Sequence, residues 1–249
     1  MQSEEYDRMY QLEETYWWFV GRHHLVLTFL NRLYPGRKDL RILDVGCGTG
    51  AMSQKLEQFG DVVSADASPL ALAYASKRGL NRLCESDACR LPFREKSFDL
   101  IVALDLLEHV KDDAAALAEF QRVLKPGGRV IITVPAYKGL WSGHDVALMH
   151  YRRYVAREVR ERFEGAGLKV KRLSYAMTAL YPVVWLFRKL ERMKKSANPK
   201  AHLVQVTPGL NRMLVGLLAA ENTLIGKTNL PYGVTVFCMA QRPEGVSNP

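Results

Sequence analysis

The feature that most constrains this chain is an apolar strand that runs without a break into three alternating glycines, Leu43-Asp44-Val45-Gly46-Cys47-Gly48-Thr49-Gly50. Glycines at such a turn let backbone N–H groups approach a ligand with no Cβ in the way. The spacing is G-x-G-x-G, not the G-x-G-x-x-G that holds a dinucleotide pyrophosphate, and no G-K-[ST] comes after it for a nucleoside-triphosphate loop. Taken alone, a tight structural turn explains the pattern as well as a binding loop does.

Beyond the turn the chain has the rhythm of βαβ units. Short apolar runs at 41–45, 61–66, 82–86, 98–104 and 129–134 alternate with helical segments at 51–59, 68–78 and 112–124. Ser68-Pro69 supplies an N-cap and a proline at the first helical position. This alternation predicts an α/β fold with a doubly wound, largely parallel sheet. Upstream, apolar spacing over 9–34 predicts one or two amphipathic helices stopping near Pro35-Gly36. Downstream, a looser stretch to about 153 precedes a helix at 155–166 and a strand at 168–174, and the apolar segments 175–187 and 208–226 read as helices joined by a cationic linker. A last strand at 233–240 reads as the antiparallel edge of the sheet. With 249 residues, a single domain accommodates all of this: an N-terminal helical lid (1–36), a core (37–174 and 230–242), and a helical insertion (175–229).

Two carboxylates at strand ends favour binding over a mere turn. Asp66 closes the second strand about 20 residues after the glycines, where a carboxylate can accept the hydroxyls of a ribose. Asp87 and Ala88, just before Leu91-Pro92-Phe93, suit the exocyclic amine and flat face of an adenine. A capping Asp and an ordinary loop Asp are the plain alternatives.

At this point the sequence resembles the class I S-adenosylmethionine-dependent methyltransferases, through LDVGCGTG, SADAS, SDACRLPF, FDLIVALDLLEHV and LKPGGRVIITVPAY in that order between Leu40 and Pro135. The resemblance implies a Rossmann-like seven-stranded sheet with an antiparallel last strand and S-adenosyl-L-methionine as cofactor. It places Asp44, Gly46, Cys47 and Gly48 at the methionine portion and Asp66 and Ala67 at the ribose. Asp87 and Ala88 fall at the adenine, and Leu104 with Asp105 at the floor below the sulfonium. Two further elements, Glu13-Glu-Thr-Tyr-Trp-Trp-Phe19 and Trp141-Ser-Gly-His-Asp145 with His150-Tyr-Arg-Arg-Tyr154, resemble a bacterial subgroup associated with envelope glycan and lipid pathways. The chain departs from that subgroup at Val155, where a capping Thr or Ser is usual, and at Phe19-Val-Gly-Arg22, where Arg directly after Phe is usual.

An oxygen or carbon nucleophile must lose a proton, and His is suited to accept it near pH 7. His109, His144 and His150 are the candidates, with Asp145 next to His144 as an orienting partner. Structural roles in caps and loops compete with each. Trp17 and Trp18 in the lid, and Arg153 with Tyr154, are candidate acceptor contacts, Arg being matched to phosphate or carboxylate.

Charge bears on the partner. The net charge is +9, but residues 1–149 carry 18 basic and 20 acidic side chains whereas 150–249 carry 17 and 6. The apolar stretch Leu173–Phe187 is too short to span a bilayer, contains Pro182, and is flanked by cations. An anionic membrane surface is the expected partner of this half, presenting a lipid-linked, isoprenoid or glycan acceptor. A solvated helical cap is the plain alternative. RNA is a further reading, but no RNA-binding module is recognisable, and no [ND]-P-P-[YFW] element occurs after the fourth strand. A non-catalytic cofactor-binding scaffold is the third. Four cysteines without C-x-x-C spacing, and a polar acidic N-terminus, predict free thiols, no metal site, and a cytoplasmic protein peripheral at the inner membrane face.

Overall fold

The computed structural model describes residues 3–193 and 206–244. Two helices, α1 (Ser3–Leu12) and α2 (Trp17–Leu33), precede the sheet. Then come β1 (Leu40–Val45), α3 (Ala51–Leu56), β2 (Gly60–Asp66), α4 (Pro69–Lys77), β3 (Leu83–Glu85) and β4 (Phe98–Leu104) in order. The chain continues through α5 (Asp113–Val123), β5 (Leu124–Pro135), α6 (Gly143–Ala147), α7 (Ala156–Gly165) and β6 (Lys169–Ala176). It closes with α8 (Tyr181–Met193), α9 (Pro208–Ile225) and β7 (Thr235–Gln241).

The seven strands form one sheet in the order β3-β2-β1-β4-β5-β7-β6. The first five pair in parallel, and β7 runs antiparallel to both β5 and β6. Strands such as β4 and β5 are buried on both faces and therefore read as continuous apolar runs. One face packs Leu117, Phe120, Val159 and Phe163 from α5 and α7. The other packs Leu25, Phe29 and Leu30 from α2 and Ile225 from α9, with the Phe29 and Phe237 rings 4.5 Å apart. Among the described residues, no helix is long and apolar enough to cross a membrane.

Several expectations shift. The last strand is antiparallel but not the edge: β7 is inserted between β5 and β6, so β6 is the edge. Strand β5 starts five residues early, because Lys125-Pro-Gly-Gly128 is an irregularity inside the strand, between the Phe98↔Leu124 and Leu100↔Arg129 pairs. The run 175–187 is not helical throughout, since Tyr175 and Ala176 still pair with β7 and the helix begins at Tyr181. The cationic linker expected after it, with Lys194 and Lys195, lies outside the described residues.

The segment between β6 and β7 does not stand off from the sheet. Helix α9 lies against α2 so tightly that a Cβ at Gly21 would fall 2.3 Å from Leu218 Cδ1. Asn222 donates to the Gly21 carbonyl at 2.8 Å, and Asn211 accepts from the Trp17 backbone N–H at 2.9 Å. Helices α2 and α9 thus share one layer.

Candidate functional site

The strand order reverses between β1 and β4, and in open α/β sheets the crevice at that point, outside the strand ends, takes ligands. Here it opens into a cavity of about 1320 Å³, larger than the roughly 300–1,000 Å³ of most small-molecule sites. Two ends can be distinguished by their lining.

At the β1 and β2 end the glycine turn supplies backbone. Gly46 and Gly48 have φ of +69° and +55°, the region that disfavours a side chain. A Cβ at Gly46 would sit 2.7 Å from Leu106 Cδ1 and one at Gly48 2.7 Å from Met9 Cε, so the floor and the roof both close on this turn. Asp66 braces it: one carboxylate oxygen accepts the Gly48 N–H and the other the Ser68 N–H, each at 2.9 Å. Asp44 lies beneath, buried, accepting from the Ser53 hydroxyl at 2.6 Å. Burial, with Asp66 and Glu13 nearby, pushes Asp44 up to about 7. Burial likewise raises the Asp66 carboxyl and holds the Cys47 thiol protonated. Asp87 turns its carboxylate to the Cys89 N–H at 2.8 Å, while the buried Ser86 hydroxyl beside it has no partner.

At the β4 end Asp105 adopts φ +50°, a left-handed conformation that a non-glycine residue keeps only when its surroundings hold it there. Thr133 donates to its carboxylate at 2.8 Å, and the Arg22 guanidinium from α2 ion-pairs with it. Leu104 lines the cavity here, and Ala67 and Ala88 line it beyond the ends of β2 and β3.

The three histidines converge. The His109 and His150 rings meet edge to face at 4.6 Å, and His144 stands 6.5 Å from His150. Burial holds His109 and His144 down at about 4, aided by His150 and Arg188 respectively, so both are neutral at pH 7. Asp145 does not orient its neighbour His144. Its carboxylate takes the His150 Nδ1 at 2.9 Å and both arms of Arg153, at 2.6 and 3.1 Å. Although burial opposes its charge, those hydrogen bonds hold Asp145 well below the usual carboxylate range.

Trp17 and Trp18 both line the cavity, in T-shaped contact at 5.5 Å. Arg153 lines it too, but its guanidinium is committed to Asp145 and the Ala136 carbonyl. Tyr154 is a correction. It bridges to Ala136, is buried under the sheet end, and donates to Asp113 at 2.8 Å, so it touches no part of the cavity. At the departure Val155, the Glu158 side chain accepts the Val155 N–H at 3.1 Å, the reciprocal arm of a capping box, while no side chain caps the first turn as a Thr or Ser hydroxyl would.

Sequence reading missed the parts that hold the roof on. Glu13 is buried and accepts from the Thr49 hydroxyl, from the Ala51 N–H at 3.3 Å and from Arg78 at 3.0 Å. Arg78 in turn donates to the Tyr10 and Thr49 carbonyls at 2.8 and 2.9 Å. The Glu opening the Tyr-Trp-Trp-Phe element was the available signal.

Residues 43–132 match the family described as a methyltransferase domain. That match runs from β1 into β5 and covers well under half of the chain. Demethylmenaquinone methyltransferases of Staphylococcus aureus are 35% identical over 120 residues, which is 43% of this chain and 50% of theirs. The chain therefore spans about half the length of the curated relatives it matches. Among solved structures it resembles the partner of the Trm112 methyltransferase activator from Haloferax volcanii, with TM-score 0.63, 20% identity and coverage of 99% of this chain and 96% of that one. It also resembles Haemonchus contortus phosphoethanolamine N-methyltransferase 2 bound to S-adenosyl-L-methionine, with TM-score 0.57, 23% identity and coverage of 87% and 52%. These likenesses establish the Rossmann-like methyltransferase fold. Neither the Trp-Trp-Phe subgroup nor an envelope pathway is named by them.

Proposed function

We propose that this chain is an S-adenosylmethionine-dependent methyltransferase whose acceptor is a lipid-linked, isoprenoid or glycan molecule bearing an O or C nucleophile. The observation that carries this reading is that one cavity joins a nucleoside-shaped cradle to an apolar mouth. The cradle's lining suits the cofactor: the glycine backbone, Asp44 and Cys47 would hold the amino-acid end, Asp66 and Ala67 the ribose, and Asp87 with Ala88 the base. When bound, the cofactor supplies an activated methyl group on a positively charged sulfur, transferred in line to the acceptor. The protein's share is alignment and exclusion of water, worth roughly 7–11 kcal/mol of barrier.

At the mouth, Val183 and Phe187 of α8 and Leu210, Met213 and Leu217 of α9 line the cavity and are exposed to solvent. An acceptor carried in a bilayer reaches the site along such a face without crossing water. The basic second half favours an anionic surface, at about 1 kcal/mol per cation. Trp17 and Trp18 cover the acceptor from the lid, and the cluster of His109, His144 and His150 stands where its proton must leave.

The test uses labelled cofactor with three acceptor pools: isoprenoid quinols, lipid-linked glycans and total RNA. Label in a lipid or glycan fraction is expected. Label confined to RNA overturns the acceptor assignment. Co-sedimentation with anionic liposomes should weaken as salt rises, and absence of binding at low salt removes the membrane contact.

A further inference from the structure

Three side chains at the acceptor end form an arrangement that cysteine spacing could not reveal. Ligand atoms of Glu108, His109 and His150 lie within 4.8 Å of one another. Glu108 is 1% exposed, yet its Oε2 has no hydrogen-bond partner. A buried carboxylate oxygen without a partner is costly, because nothing replaces the water it gave up. A cation between this oxygen and two imidazoles resolves the cost.

We propose that Glu108, His109 and His150 bind one divalent first-row transition metal. Two histidines and one carboxylate, with the remaining positions open, form a donor set used by zinc and non-haem iron. Asp145 takes Nδ1 of His150 at 2.9 Å, which leaves Nε2 to carry a lone pair. This is the outer-shell support that metal-bound imidazoles need. The two ligand-bearing loops are also tied together, since the Tyr151 N–H donates to the Glu108 carbonyl at 2.7 Å. Ligands around a metal at about 2.1 Å sit roughly 3.3 Å apart, so modest rotamer changes close the site.

The consequence for catalysis rests on the methyl-transfer reading; the metal site itself does not. An acceptor hydroxyl on an open coordination position becomes more acidic. Metal coordination therefore replaces a direct general-base role for His150, whose lone pair cannot do both.

The full chain, stripped with chelator, is titrated with Co²⁺ followed by visible absorption, and with Zn²⁺ followed by calorimetry. One equivalent should bind. Glu108→Gln and His150→Ala should each weaken binding at least tenfold, and Asp145→Asn about 10–100-fold. Glu108→Gln keeps the shape of the side chain, and S-adenosylhomocysteine affinity, measured in the same samples, reports whether fold and cofactor site survive. No binding of either metal overturns the proposal, as does affinity unchanged in Glu108→Gln and His150→Ala. Metal binding without S-adenosylhomocysteine binding would instead leave the site standing and defeat the methyltransferase reading.

Discussion

Asp44 is the residue whose charge state this fold strains most usefully. It is buried, hydrogen-bonded to Ser53, and held at about 7 rather than 3.8 by desolvation and by Asp66 and Glu13. Between those two values the folded chain keeps a proton that the unfolded chain has lost, so stability must fall as pH rises. The loss is complete only above the folded value, and a shift of about 3 units corresponds to about 4 kcal/mol. Replacing Asp44 by Asn preserves the shape, keeps an acceptor for Ser53 and removes the ionisation. The stability advantage of Asp44→Asn over the parent should therefore grow by about 2.5 kcal/mol between pH 5 and pH 8. Urea unfolding of both proteins at the two values measures it, other titrating groups cancelling in the difference. A difference that stays constant, or shrinks as pH rises, refutes the assignment of a proton to buried Asp44. The same substitution should weaken cofactor binding at pH 8, because the site has lost the anion proposed to meet the cofactor's amino group.

Asp66→Ala should lower cofactor affinity by about 10–100-fold, the range for losing a charge-assisted hydrogen bond; calorimetry showing no change would mean that Asp66 only braces the glycine turn. Glu13→Ala removes the buried acceptor shared by Thr49, Ala51 and Arg78, although Arg78 keeps Glu14 at 2.6 Å, and should cost about 1–3 kcal/mol. Denaturant unfolding with a loss below about 1 kcal/mol would show that the roof is not clamped there. Tyr154→Phe deletes hydrogen bonds to Asp113 and the Leu107 carbonyl, so about 1–3 kcal/mol of stability should go while kcat holds. Loss of turnover at unchanged stability would return Tyr154 to the acceptor site.

What could be read from the chain was local. Ser68 caps α4 through the Ala71 N–H, as Ser-Pro spacing announces, and β4 matches its apolar run residue for residue. The glycine turn and Asp66 were legible for the same reason, since strand, turn and carboxylate are close in sequence. What escaped depends on distant partners. Nothing within Thr235–Gln241 says that β5 lies on one side of it and β6 on the other. Adjacency makes Asp145 and His144 read as a pair, yet successive residues on a helix diverge by about 100°. The chain instead turns back after α6 and brings His150 to the carboxylate. Glu13 and Arg78 lie far apart in sequence, and neither residue type announces a buried clamp.

The departure at Arg22 carries the electrostatic logic of the site. As a methyl group leaves a sulfonium, positive charge disappears, and any unneutralised anion beside the sulfur would favour the starting state over the transition state. The floor nevertheless holds Asp105, fixed by its strained backbone and by Thr133. Arg22 neutralises it, and Arg22 belongs to α2, the same helix that carries Trp17 and Trp18 over the cavity. Roofing the cavity and cancelling the floor charge are thus properties of one element, which is held against α9 and preceded by a turn anchored at Glu13. A loosened roof would expose the site to water and leave Asp105 uncompensated in the same movement, so the two defects should not separate in variants of the anchor.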